Sequence, residues 1–219
     1  MKNVLLDQPA GIGDILFLQK LQQIICEKNN VKVWHPVKKS LEWMVNYLPT
    51  LCKKSDCDGI HFDLVIKTDG CSNGTPFKIM EAKYKLLNME FNNYVDYINI
   101  NRKLDKEEEL FQSLVGDCRD YRLVNSMYGT PDELGNTLFL NPKKSSKIKN
   151  IEMSIISGYT LFDWLKIIEN ATEIHTTDTA IMFLIEKYNC MAKELVCYSR
   201  RPHTNEIDYL FKKSWRYNV

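Results

Sequence analysis

The chain has 219 residues, 44% hydrophobic and 26% charged, which suits a soluble globular protein of one large or two small domains and argues against disorder. Its 29 basic side chains against 28 acidic ones leave a formal charge of +1, so there is no general attraction to nucleic acid or anionic lipid, and any polyanion site must be local. Met1–Asp7 lacks the apolar core of a signal peptide and no apolar run approaches the ~18 residues of a membrane span, so a cytoplasmic protein without a stable membrane span is expected.

Asn3–Leu6 reads as a short buried strand, Pro9–Asp14 as a turn and Ile15–Lys28 as a helix with Leu18, Leu21, Ile24 and Ile25 on one face. Val31–Trp34 is a second strand ended by Pro36, and Leu41, Met44, Val45 and Leu48 form another helical stripe. Cys52, Cys57, His61 and Cys71 offer four conceivable zinc ligands, but they contain no Cys-x-x-Cys pair and His61 opens the apparent strand to Lys67. Ordinary thiols are the expectation there, and seven cysteines without framework spacing suggest no structural disulfide. The alternation of strand and helix implies parallel strands. Phe62–Ile66 is the third strand, Pro76–Leu87 a helix, and the alternating Tyr94–Ile100 a further strand.

Near Arg102 the rhythm restarts, giving two expected lobes, residues 1–102 and 103–219. Asp105–Leu114 is a helix, Tyr121–Asn125 a strand leading into the loop Ser126–Pro131, and Thr137–Leu140 a short strand. Lys143, Lys144, Lys147 and Lys149 follow in a polar loop, expected to be a solvated basic surface, with phosphate contact as the alternative. Ile151–Ile156 is a strand, and Leu161, Trp164, Leu165 and Ile168 mark the next helix. Glu173–Thr176 is a strand, Thr179–Tyr188 a helix apolar nearly all round, Leu195–Tyr198 a strand, and Ile207, Leu210, Phe211 and Trp215 a final amphipathic helix.

Two segments could carry chemistry. Gly11-Ile12-Gly13-Asp14 joins a strand to a helix, where glycines let a ligand approach the backbone and free N–H groups attract negative charge. A dinucleotide site would want a third glycine near Leu16 or Phe17 and an acid closing the second strand, where His35-Pro36 stands instead, and no Gly-Lys-Ser/Thr marks a kinase P-loop. Asp14 can face a crevice at the mouth of the sheet or cap the helix, the latter contributing ~1 kcal/mol. The second segment, Glu173–Thr179, crowds hydroxyls, an imidazole and a carboxylate before a buried helix, as an anion cradle would, or as a capped helix with His175 satisfied in the core.

Together these motifs resemble the GT-B glycosyltransferases, especially the ADP-heptose:lipopolysaccharide heptosyltransferase-like group, in a short form. The resemblance implies an α/β fold of two small Rossmann-like lobes with parallel sheets facing a cleft. It implies that Asp14, matching the carboxylate of the Gly-x-Gly-Asp loop, is the base that deprotonates an acceptor hydroxyl. The family's Asp-Thr/Ser-Gly-x-x-His segment for the donor diphosphate is matched by Asp178 and Thr179, with Ala180 and Phe183 departing from it. His175, Thr176 and Thr177 would then join Asp178 and Thr179 at the donor, with Gly11, Gly13, Asn125, Ser126, Tyr128, Thr130 and Arg200, or Arg201, as further contacts. The implied reaction moves a sugar from a nucleotide-diphosphate sugar to a glycan, lipid-linked or other hydroxyl acceptor, by inversion and without metal or other cofactor. A sugar-nucleotide binding module without turnover, and an NAD- or nucleoside-dependent α/β enzyme, are the competing readings.

Overall fold

The computed structural model describes residues 1–76, 78–128, 138–139, 141–199 and 208–218. Its backbone divides into two units, Met1–Asn101 and Arg102–Val219. Arg102 belongs with the second, because its guanidinium is held by the carboxylates of Glu107 and Glu169.

In unit 1, β1 (Asn3–Asp7) lies between β2 (Lys32–Trp34) and β5 (Leu64–Lys67), parallel to both. Val4 and Leu6, two residues apart, point to one face and are buried, as the period of a strand requires. After β1 the chain turns at Gly11, whose φ of +81° is open to glycine at little steric cost, and enters α1 (Ile12–Phe17). Leu18 separates α1 from α2 (Gln19–Asn29), so the single helix expected from Ile15 starts earlier and is broken once. Asn30, at φ +48°, ends α2 in the left-handed conformation favoured at helix C-termini.

The stripe around Leu41 and Met44 forms a 3-10 helix, Lys39–Asn46, between β3 (Pro36–Val37) and β4 (Cys52–Lys53), which pair in parallel. A second 3-10 turn, Lys54–Cys57, brings the Cys57 sulfur to 3.8 Å from that of Cys52; both are free thiols. The next helix is α3 (Ile79–Lys85). Tyr94–Ile100 is not a strand: Tyr94–Tyr97 is a 3-10 helix, with turn bonds from Asp96 N–H to Asn93 O and Ile98 N–H to Val95 O. Tyr94 and Ile98 are the buried pair, and their i, i+4 spacing fits either period, so alternation alone misleads here. Phe17, Tyr84 and Tyr94 pack edge to face around this corner, at centroid distances of 5.0 and 4.8 Å.

Unit 2 holds one five-stranded sheet in the order β12-β11-β10-β6-β9, every pairing parallel. Its strands are β6 (Tyr121–Asn125), β9 (Lys149–Glu152), β10 (Glu173–Thr177), β11 (Glu194–Tyr198) and β12 (Trp215–Asn218). All of β6 is buried, as befits an inner strand. Met127–Tyr128 (β7) and Leu138–Phe139 (β8) form a small antiparallel pair. The helices are α4 (Leu104–Leu114), α5 (Leu165–Asn170), entered through the 3-10 turn Leu161–Trp164, and α6 (Ala180–Lys187). Five successive residues of α6, Ile181–Ile185, are buried.

The final amphipathic helix expected over Ile207–Trp215 is replaced, in its described part, by a 3-10 turn (Asp208–Leu210) and the edge strand β12. Leu210 and Phe211 bury side by side, Phe211 against Phe183 at 5.2 Å, while Trp215 and Tyr217 follow the strand preference of aromatic side chains onto the open edge of β11. The expected α/β class, with a parallel sheet in each unit, is the one observed. Among the described residues, no helix is long and apolar enough to cross a membrane.

Candidate active site

Asp14 sits in the first turn of α1, but it does not cap the helix: Gly11 occupies the N-cap position, and no side chain bonds there. Instead, Asp14 Oδ1 accepts from Lys83 Nζ at 2.5 Å, while Oδ2 lies over Gly11, 2.3 Å from where a Cβ would stand. Gly11 therefore serves twice, for its positive φ and for the room its missing side chain leaves to the carboxylate. Gly13 lies within α1.

Lys83 is the residue that sequence reasoning missed. It reaches Asp14 from α3, is only 3% exposed against 33% for Asp14, and also donates to Gln8 Oε1 at 2.7 Å. Gln8 Oε1 accepts from the Thr68 hydroxyl too, and Gln8 Nε2 donates to Ala10 O, so the amide that orients the ammonium is itself fixed. An ammonium taken out of water costs several kcal/mol unless paired, and here a carboxylate and an amide oxygen offset that cost. The signal was present in the sequence: Met80, Lys83, Tyr84 and Leu87 stand at i, i+3, i+4 and i+7, which puts Lys83 on the apolar stripe.

Behind this pair the interior of unit 1 stays polar. His35 is fully buried, its Nε2 3.1 Å from Gln8 O and its Nδ1 3.1 Å from Gln22 Oε1. Burial first, and Lys83 in addition, press its pKa down to about 4, so the ring is neutral at physiological pH.

In unit 2 the structure brings together part of the expected donor set. Asn125, ending β6, donates through Nδ2 to Thr176 Oγ1 at 2.9 Å and to Thr179 Oγ1 at 3.2 Å. Thr179 is the N-cap of α6, and its own N–H donates to Thr177 O. Ser126 is half-buried beside Asn125, and Asp178 is mostly buried. Thr176 and Thr177 are wholly buried, and the Thr176 hydroxyl donates to Thr177 O. Thr176 thus braces the turn from within. Thr179, half-buried at the helix start, is the hydroxyl best placed for one.

His175 is separated from this cluster by the pleat of β10, since residues 173, 175 and 177 share one face and 174 and 176 the other. Its Nδ1 is 3.1 Å from Tyr198 Oη, its Nε2 faces Glu194, and burial followed by the Arg122 charge lowers its pKa to about 4. His175 is thus a buried imidazole on the opposite face of β10 from Thr176. Of Tyr128 only the backbone, in β7, is described, and Thr130, Arg200 and Arg201 lie outside the described residues.

No protein-family model matches the sequence, and neither does any curated protein. Solved structures do match. A glycosyl transferase family 9 structure from Veillonella parvula aligns over 90% of this chain and 80% of its own, at 10% identity and a TM-score of 0.53. The iron-containing dodecameric glycosyltransferase TibC from enterotoxigenic E. coli aligns over 100% of this chain and 64% of its own, at 8% identity and a TM-score of 0.58. E. coli heptosyltransferase WaaC with ADP-2-deoxy-2-fluoro heptose aligns over 100% and 93%, at 10% identity and a TM-score of 0.48. At such identities the likeness is one of fold: this chain has the parallel-sheet α/β fold of glycosyltransferases.

Proposed function

We propose that the chain is a cytoplasmic GT-B-type, heptosyltransferase-like glycosyltransferase that moves a sugar from a nucleotide-diphosphate sugar to an acceptor hydroxyl, with inversion. The observation that carries this reading is the carboxylate of Asp14, which follows the first strand of a glycosyltransferase fold and is held by a lysine buried for that contact. Asp14 takes the acceptor proton, the acceptor oxygen attacks the anomeric carbon, and the bond to the diphosphate breaks with its electron pair leaving on the phosphate. The task of Lys83 is to orient the carboxylate through its hydrogen bond.

The donor is assigned to unit 2. The start of α6 turns N–H groups and the positive end of its dipole toward negative charge, worth ~0.3–1 kcal/mol and more where partly buried. Thr179, Asp178, Asn125 and Ser126 are the side chains nearest that point, and the scheme calls on no metal. The acceptor belongs to the hydroxyl-bearing class of glycans and lipid-linked sugars, with nucleic acid disfavoured by the near-neutral charge.

The test is a panel of nucleotide-diphosphate sugars, first by thermal shift and then by release of free nucleotide diphosphate with candidate acceptors. A donor at 100 times its Kd stabilises the native state by ~2.7 kcal/mol. Thr179→Val is expected to weaken the donor that scores, and a panel in which none binds would overturn the reading.

A further inference from the structure

We propose that Glu173, His175 and Glu194 form a binding site for one divalent transition-metal cation on the sheet of unit 2, apart from the proposed donor contacts. The register of β10 and β11 sets Glu173 directly opposite Glu194, and His175 follows two residues along the same face. One ligand atom from each residue lies within 4.8 Å of the others. His175 is 2% exposed, and its Nε2 is the one buried side-chain nitrogen or oxygen without a hydrogen-bond partner among the described residues. That atom stands 3.9 Å from Glu194 Oε2, too far for a hydrogen bond and close enough to share a cation.

The other ring nitrogen is engaged as in a ligating histidine. Tyr198 Oη accepts from the Lys143 N–H at 2.9 Å and lies 3.1 Å from His175 Nδ1. With Nδ1–H donating to that oxygen, Nε2 presents its lone pair to the carboxylates. Two arginines already pair with the carboxylates. Arg122 holds Glu173 Oε2 at 2.5 Å and stands 4.0 Å from Glu194, while Arg216, 62% exposed, holds Glu194 Oε1 at 2.5 Å. Arg216 faces solvent, and a cation taking its place would keep the two neighbouring carboxylates neutralised while also engaging His175 Nε2. One imidazole and two carboxylates, completed by water, suit Zn²⁺ and its first-row neighbours better than Mg²⁺ or Ca²⁺, which favour oxygen alone. Glu173 and Glu194 begin their strands, whereas α6 starts beyond the far end of β10, so the ion would brace the sheet and take no part in transfer.

The experiment titrates chelator-stripped full-length protein with Zn²⁺ by calorimetry and with Co²⁺ by absorption. The expected result is one Zn²⁺ per chain, a rise in Tm that Mg²⁺ does not reproduce, and a Co²⁺ spectrum without thiolate charge transfer. Glu194→Gln, at a half-exposed position that tolerates change, should weaken binding by about 100-fold or more, and Tyr198→Phe by about 10-fold. Arg216→Ala should tighten it. Thiolate bands in the Co²⁺ spectrum, or equal Zn²⁺ binding by Glu173→Gln/Glu194→Gln and wild type, would overturn the site.

Discussion

The two candidate stations are built differently. Unit 1 holds Asp14 with a charge contributed from α3, far along the chain, and buries around it a polar interior of Gln8, Thr68, His35 and Gln22. Unit 2 braces its station with neutral hydrogen bonds instead of a charge: Asn125 spans to Thr176 and Thr179 across one strand pairing, over an apolar α6. A base needs a fixed orientation, which an ion pair with a buried lysine supplies. A site for a large anionic ligand needs backbone N–H groups and room, and a helix start supplies those.

That contrast can be broken by mutation. The largest expected effect is on the ion pair, and it is asymmetric. Asp14→Ala strands an ammonium that is almost wholly buried and should cost about 3–5 kcal/mol in denaturant unfolding, whereas Lys83→Met leaves a carboxylate that reaches water and should cost less. Equal costs would mean that Lys83 is not buried as described.

Next comes His35. Its folded-state pKa is depressed from 6.5 to about 4, so the unfolded chain binds a proton near pH 6 that the folded chain refuses. Stability from this group is full above pH 6.5, falls as the pH drops, and has lost roughly 3 kcal/mol by pH 4. His35→Gln should flatten that part of the stability profile; an unchanged slope would remove His35 as its source.

In unit 2, Asn125→Ala removes its bonds to Thr176, which is buried, and to Thr179, for about 1–3 kcal/mol, and should loosen donor binding because Thr179 loses its brace. Smallest is Gly11→Ala, at about 1–2 kcal/mol of backbone strain, but its Cβ would collide with Asp14 Oδ2, so it should depress transfer more than stability. Circular-dichroism melts beside initial-rate assays separate the two effects.

The parallel pairing of β1 with β2 and β5, and of β6 with β10 and β11, was legible because strand and helix patterns alternate around those strands. Tyr94–Tyr97 was not, since Tyr94 and Ile98 satisfy both periods at once. Nor was β12, whose partner is the edge of β11 and whose existence therefore depends on tertiary contact. Asp14 could be found from its place after Gly11 and Gly13. Lys83 was readable only by following the helical phase of α3, and Gln8 and Thr68 only after folding, because polar residues just beyond strand ends read as loop. The Glu173–Thr179 run looked like one site because its residues are consecutive; the pleat of β10 divides it, sending His175 to the acidic pair and Thr176 to Asn125.

The most direct test is Asp14→Asn, which keeps an oxygen for Lys83 while removing the basic carboxylate. With donor Kd and transfer rate measured on the same preparation, the account predicts unchanged donor affinity and transfer slower by about 10²–10⁴-fold. Transfer at the wild-type rate would contradict it.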